Sequence, residues 1–377
     1  MRANNVLGII QSQSYDSAVH ELTSVRAMGS VPFCCRYRFV DFPLSNMVNA
    51  GISQVGIVTK DNYQSLMDHT GSGKPWDLAR KREGLFLLPP FNTAQSSTVP
   101  NRSSRLESLF SVLDFLKKAR QEYVVITDAN SVYNFDFGDL FKFHTEHDAD
   151  ITIAYNHGKP PMIKDLMNLK FDGEERVVDC AVSAQTELYE EDIDYCFNIF
   201  VMRKSLLEYL LNSAIAHNAT SFSNDIIQAN VRNLKIFGYR IPGFARMVDS
   251  LQTYYNINML MLNPENREHL FNPENPISTK IGDKVPTHYG SHCKVANSLL
   301  ADGCVIEGSV ENSILFRGVK VEKGAVVKNA ILMQGTVIGA DSSVNSIIAD
   351  KNVTITEGRN LSGDPSYPIY FAKKITV

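Results

Sequence analysis

Several things are missing from this chain, and each absence excludes something. No apolar run approaches the roughly 18 residues that a bilayer-spanning helix needs, so no membrane span is expected. The N-terminus carries no basic segment followed by a long apolar one, so no secretory signal is read there. A formal net charge of −4 leaves no basic excess, which removes the electrostatic case for binding nucleic acid. The six cysteines (Cys34, Cys35, Cys180, Cys196, Cys293 and Cys304) show no C-x-x-C spacing. In a chain of this length they fit reduced thiols of a cytoplasmic protein better than a disulfide framework or a zinc site.

What is present is enough for a sizeable core. Hydrophobic residues make up 44% of 377 residues, which suggests two domains, or a large one with a smaller companion. Asn5 to Gln11 is a short apolar run that reads as a buried parallel strand, and Gln54–Thr59, Tyr123–Thr127 and Ala149–Ala154 read the same way. Helical patterns lie between them, for example Leu106 to Lys118. Strands alternating with helices indicate an α/β domain with a mostly parallel sheet, whose ligands bind beyond the carboxyl ends of the strands. The stretch Gly71 to Asn101 reads as irregular. G-S-G-K-P-W-D-L within it is expected to be a mobile loop, and S-S-T-V-P-N-R-S-S a second one. The proline- and asparagine-rich Asn263–Asn275 reads as a linker.

Beyond the linker the pattern changes. Val319, Ala325, Ile331 and Val337 are six apart, and so are Val326, Leu332, Ile338 and Val344. Glycines recur between these small or β-branched residues. A six-residue period of this kind marks a parallel β-helix. No histidine follows Lys294, so the histidine chemistry of hexapeptide acyltransferases has no candidate residue in these coils.

The most informative stretch is Val31 to Gly51, V-P-F-C-C-R-Y-R-F-V-D-F-P-L-S-N-M-V-N-A-G. Arg36 and Arg38 lie two apart, which on an extended segment is one face, and paired guanidiniums suit phosphate or carboxylate. Leu44 to Ala50 reads as a helix ended by Gly51.

This stretch resembles the start of the sugar-nucleotide pyrophosphorylases, in particular the glucose-1-phosphate adenylyltransferases, which carry P-F-G-G-K-Y-R-x-x-D-F-P-L-S-N. The resemblance implies a Rossmann-like nucleotidyltransferase domain followed by a left-handed parallel β-helix. The expected boundaries are 1–262 for the α/β domain, 263–280 for the linker and 281–377 for the β-helix.

The resemblance also shows what has gone. The resembled enzymes hold nucleotide phosphates on a Gly-Gly-x-Gly-(Thr/Ser)-Arg-Leu loop after the first strand. Here Gln11 to Thr23 contains neither glycine nor arginine, and Ala18 falls where the arginine would be, with Asp16 at a glycine. Serines at 12, 14 and 17 are the alternative means of holding a nucleotide. Their first metal aspartate, in Gly-Asp-(His/Gln)-(Ile/Val)-Tyr, falls on Asn130. Their second falls on Met247, and a thioether cannot serve Mg²⁺. Asp128 and Asp249 are the only nearby carboxylates that a shift of register would supply. The Glu-Lys-Pro of the sugar-phosphate site is absent, and the Arg-Ala-Lys-Pro lysine is replaced by Met28. Arg26, Arg36, Arg38 and Lys320 keep the basic character of positions near the family's effector region.

The expectation is therefore a chain with no cofactor of its own. It would be a regulatory, non-catalytic subunit that assembles with a catalytic subunit in a mixed tetramer; a homo-oligomer is the form open to the chain alone. The partner would use Mg²⁺ to make ADP-glucose from ATP and glucose 1-phosphate, and a phosphorylated metabolite would bind as effector. Two alternatives stand beside it: an active nucleotidyltransferase with relocated ligands, and a stand-alone sugar-phosphate sensor.

Overall fold

The structure is a computed structural model that describes residues 3–13, 16–89, 105–183 and 191–377. The expected second loop, S-S-T-V-P-N-R-S-S, lies outside the described residues.

The strand Val6–Gln11 sits in the middle of the main sheet, parallel to both Gln54–Val58 and Tyr123–Asp128. All six of its residues are buried. A strand covered on both faces has no reason to alternate polar and apolar residues, which is why it reads as a continuous apolar run. Gly84–Leu88 adds a parallel edge strand inside the segment expected to be irregular. On the other side Ile193–Arg203 runs antiparallel to Tyr123–Asp128 and carries Ile151–Gly158 and Leu166–Phe171. The single helix expected over Leu106–Lys118 is two, Arg105–Ser111 and Leu113–Lys118, broken at Val112 (φ −107°).

The D-F-P-L-S-N helix, Asp41–Asn49, is held by its polar residues as much as by its apolar ones. Asp41 is fully buried and accepts hydrogen bonds from the Arg38 backbone N–H (2.9 Å) and the His69 ring (2.5 Å). Ser45 Oγ accepts from Trp76 Nε1 (3.2 Å) and from the Ser278 N–H (2.9 Å). Asn46 accepts from the Phe135 N–H at 2.9 Å. Each is a buried polar group whose partner lies far away in sequence, so the motif ties four segments together. The expectation that G-S-G-K-P-W-D-L is mobile is corrected here. Trp76 is 2% exposed and closes over this helix, because a large indole with its N–H satisfied gains more from burial than from solvent.

The linker is also more ordered than expected. Pro264–Leu270 is a helix, capped by the Asn263 side chain with proline in its first turn. Asn134 Nδ2 donates to the carbonyls of both Leu270 and Asn275 at 2.8 Å, which lays this segment against the α/β domain.

The C-terminal part is a left-handed parallel β-helix of three sheets, each built from five short strands stacked in register. The inward row is Val321, Val327, Leu332, Ile338, Val344, Ala349 and Ile355, every one at most 1% exposed. The repeat is thus two six-residue steps and one five-residue step. This explains why a strict six-residue count drifts onto Val326 and Val337, which are only half-buried. Ile331, Met333 and Ile348 point the other way. They pack with Phe33, Tyr254 and Tyr255 in one cluster shared by the two domains. Tyr254 donates its hydroxyl to the Pro32 carbonyl and Tyr255 to the Asn329 carbonyl, both at 2.7 Å, across the same seam.

Candidate functional site

The carboxyl ends of the central strands converge on the residues singled out by the motifs. Ser131–Tyr133 pairs antiparallel with Ala245–Met247, Met247 opposite Ser131, and the Val248 N–H donates to the Asn130 carbonyl at 2.8 Å. The fold therefore brings Asn130 and Met247 together, as two ligands of one metal ion would require. Neither supplies a carboxylate. Asn130 is fully buried with both side-chain polar atoms unpartnered, and Met247 is 4% exposed.

The two displaced acids do not compensate. Asp128, 1% exposed, has one carboxylate oxygen in an ion pair with Arg105 Nη2, whose guanidinium also lies over the Phe200 and Phe222 rings. A guanidinium already sits where a divalent cation would have to approach Asp128. Asp249 accepts from the Met162 N–H at 2.6 Å and from the Ser250 and Thr253 hydroxyls, so it serves the start of the Leu251–Leu260 helix. Among the described residues no group of three or more His, Cys, Asp or Glu is placed to hold a metal ion. The donor set does not fit Mg²⁺.

The altered phosphate loop is a short turn, Asp16–Val19, in which Ala18 is half-buried. Asp16 turns inward and accepts from the Met28 N–H at 3.0 Å. Burial pushes its carboxyl up to about 7, so it titrates near neutrality. The loop supplies no arginine and adds an acid.

A second site lies at the join of the two domains. A cleft of about 760 Å³ is lined by Arg36 and Arg38 from the α/β domain, Lys280, Lys284, Arg317 and Lys351 from beyond it, and no carboxylate. The backbone that presents Arg36 is unusual. Cys34 and Cys35 have φ of 43° and 68°, in the left-handed region, at the two positions where the resembled motif has glycine. Burial behind Phe33 and the β-helix holds this strained turn in place. Arg38 is fixed by Ser65, donating to its carbonyl at 2.6 Å and its hydroxyl at 2.9 Å.

Two of the four sequence candidates are placed differently from expectation. Arg26 is 1% exposed, and its Nη2 donates to both Asp350 oxygens at 2.8 Å, so it joins the domains behind the cleft. Lys320 is exposed at the start of Lys320–Val321 and does not line the cleft. Lys280, Lys284, Arg317 and Lys351 were missed, because nothing local in sequence marks four cations from three separate turns as neighbours.

Lys351 gives the cleft a pH dependence. Burial, with Arg38 and Arg26 adding to it, pulls its ammonium down to about 7. Below that pH it is charged and attracts an anion; above it the charge is lost. Affinity for sulfate, whose own charge is constant in this range, is expected to fall about tenfold between pH 6 and pH 8 by titration calorimetry. Lys351→Met should abolish that difference. Without an anion the sign for stability is the reverse of a salt bridge. The unfolded lysine stays protonated to about 10.5, so stability rises with pH from about 7 toward 10.

A parallel-sheet domain with a pyrophosphorylase-type start, a β-helix packed on it and a site stripped of metal-binding carboxylates define the class: a sugar-nucleotide pyrophosphorylase relative with an altered chemical centre. Residues 17–177 match the nucleotidyl transferase family and residues 283–367 the GlmU-like C-terminal hexapeptide family. The chain is 34% identical over 372 residues to the glycogen biosynthesis protein GlgD of Bacillus subtilis (strain 168), covering 98% of this chain and 96% of that protein. It is 36% identical over 324 residues to GlgD of Geobacillus stearothermophilus, covering 86% and 83%. Identity to the glucose-1-phosphate adenylyltransferase of Fervidobacterium nodosum is 28% over 361 residues, covering 94% and 85%. The chain belongs to the GlgD family. No helix among the described residues is long and apolar enough to cross a membrane.

Proposed function

We propose that this chain acts in glycogen synthesis as a non-catalytic, regulatory subunit of a glucose-1-phosphate adenylyltransferase. One observation carries the reading. The two positions that the fold brings together for a metal ion hold an amide and a thioether, and the nearest acid, Asp128, is ion-paired with Arg105. Its catalytic partner supplies Mg²⁺ chemistry on ATP and glucose 1-phosphate; this chain assembles with it, in a mixed tetramer, and alters its turnover. The cationic cleft supports an effector role, because its lining carries six basic side chains, of which Arg317 is paired with Asp302, and no carboxylate, and so attracts a phosphorylated metabolite. An anion bound there bridges groups of both domains and biases their packing.

Co-expression with a catalytic adenylyltransferase tests the reading. The expected result is a mixed complex on a sizing column, with turnover or effector response changed about fivefold or more relative to the catalytic chain alone. Two chains that elute separately, with unchanged kinetics, would favour a stand-alone sensor.

A further inference from the structure

Lys351 differs from an ordinary surface lysine. It sits in the turn after the β-helix strand Ile347–Ala349, half-buried in the wall of the cationic cleft. Among the described residues its Nζ makes no hydrogen bond and no ion pair. The acid beside it is already taken. Both Asp350 oxygens accept from Arg26 Nη2, one also accepts from the Tyr370 hydroxyl and the other from the Lys351 N–H. The other charges acting on Lys351 are positive: Arg38, Arg26 and Lys373. The Lys374 N–H donates to the Lys351 carbonyl at 3.0 Å, which brings Lys373 of the C-terminal tail alongside. Arg38 Nη1 has neutral acceptors only, the Ser65 carbonyl and hydroxyl. Arg26 leaves its Nη1 buried and without an acceptor among the described residues. An ordinary lysine, titrating at 10.5, is about one part in a thousand neutral amine at pH 7.5. Burial and the like charges bring Lys351 to about 7, so most of it is neutral there. A desolvated amine beside other cations is a nucleophile.

We propose that Lys351 Nζ is a carbamylation site for carbon dioxide, with Arg38 and Arg26 holding the product. The nitrogen lone pair attacks the carbon of CO₂, an N–C bond forms, and one C=O electron pair moves onto oxygen. The nitrogen then gives a proton to solvent, which leaves Lys–NH–COO⁻. The step turns a neutral group into an anion with two oxygens. Those oxygens suit the unpartnered Arg26 Nη1 and the Arg38 guanidinium. The two cations that drive the proton off the lysine also stabilise its negatively charged adduct, so amine and carbamate are favoured by the same charges. Lys280 and Lys284 line the same cleft but are exposed, and they have no such enclosure. A carbamate also lowers the positive charge of the cleft, so carbon dioxide and an anionic ligand compete. The inference rests on the cleft itself and does not depend on the regulatory reading.

The test uses the full chain. It is equilibrated with ¹³C-labelled bicarbonate, which supplies CO₂, and treated with a triethyloxonium salt, which fixes a carbamate as its ethyl ester. Peptide mass spectrometry is expected to find the adduct on Lys351 at about tenfold or more its level on Lys280 and Lys284. Carbon NMR of the untreated sample should show a carbamate resonance that Lys351→Arg lacks. Arg38→Met, its melting temperature showing a folded protein, should lower the Lys351 adduct several-fold. A chain with no adduct on Lys351, or with adduct spread evenly over the exposed lysines, overturns the inference. An unchanged adduct in Arg38→Met overturns the place given to Arg38. Bicarbonate that weakens sulfate binding without any adduct on Lys351 also overturns it, since the bicarbonate ion itself then occupies the cleft. The peptide map of the unmodified chain decides the matter if the variants do not fold.

Discussion

Given ATP, glucose 1-phosphate and Mg²⁺, the purified chain is expected to form no ADP-glucose above background, at least about a million-fold below a catalytic relative. Removing one preorganised charge from such a site costs on the order of 100- to 1,000-fold. Here three such groups are altered independently: an amide at Asn130, a thioether at Met247 and a methyl group at Ala18. Asp128 does not substitute, because its carboxylate is held by Arg105. The double variant Asn130→Asp, Met247→Asp returns two carboxylates to adjacent positions but leaves the phosphate loop without its arginine. It should remain far below a catalytic relative in a coupled pyrophosphate-release assay. Robust turnover by the unmodified chain would sink the non-catalytic reading.

The second large effect concerns the seam between the domains. Asp350→Ala is expected to destabilise the folded chain by about 3–5 kcal/mol, read from the denaturant midpoint. Both partners of the Arg26–Asp350 pair are almost wholly inaccessible, at 1% and 0% exposure. Removing the acid leaves a guanidinium buried among the cations of Arg38 and Lys351. Asp350 also accepts from the Tyr370 hydroxyl at 2.9 Å and from the Lys351 N–H at 2.6 Å, so two further groups lose a partner or shift. Arg26→Met combined with Asp350→Leu should recover much of the loss, because replacing both charges with apolar groups removes the desolvation cost along with the attraction. If the single and double variants are equally unstable, packing rather than charge holds this seam.

Much of the fold was legible in the residues. The buried central strands were readable because a strand covered on both faces needs no polar alternation. The β-helix was readable because stacked coils must repeat a small apolar residue at a near-constant step. The step drifted from six because one side of each coil is a residue shorter, and only the closed coil shows which side. Trp76 was misread because glycine and proline around it signal a loop, while its burial depends on a helix that begins some thirty residues earlier. The linker helix was hidden by its own capping residues, since asparagine and proline mark both turns and helix starts.

What three of the altered positions cannot supply was determined by sequence alone: an amide, a thioether and a methyl group carry neither the negative charge of a carboxylate nor the positive charge of a guanidinium in any conformation. The chemistry that the chain has was decided by tertiary structure. Arg26 and Arg38 lie in one motif, yet one is sealed behind Asp350 and the other opens onto a cleft. Four of the six cations around that cleft come from the second domain and its approach. Electrostatic sites depend on distance in space and on access to water, and neither quantity exists along a chain until it has folded.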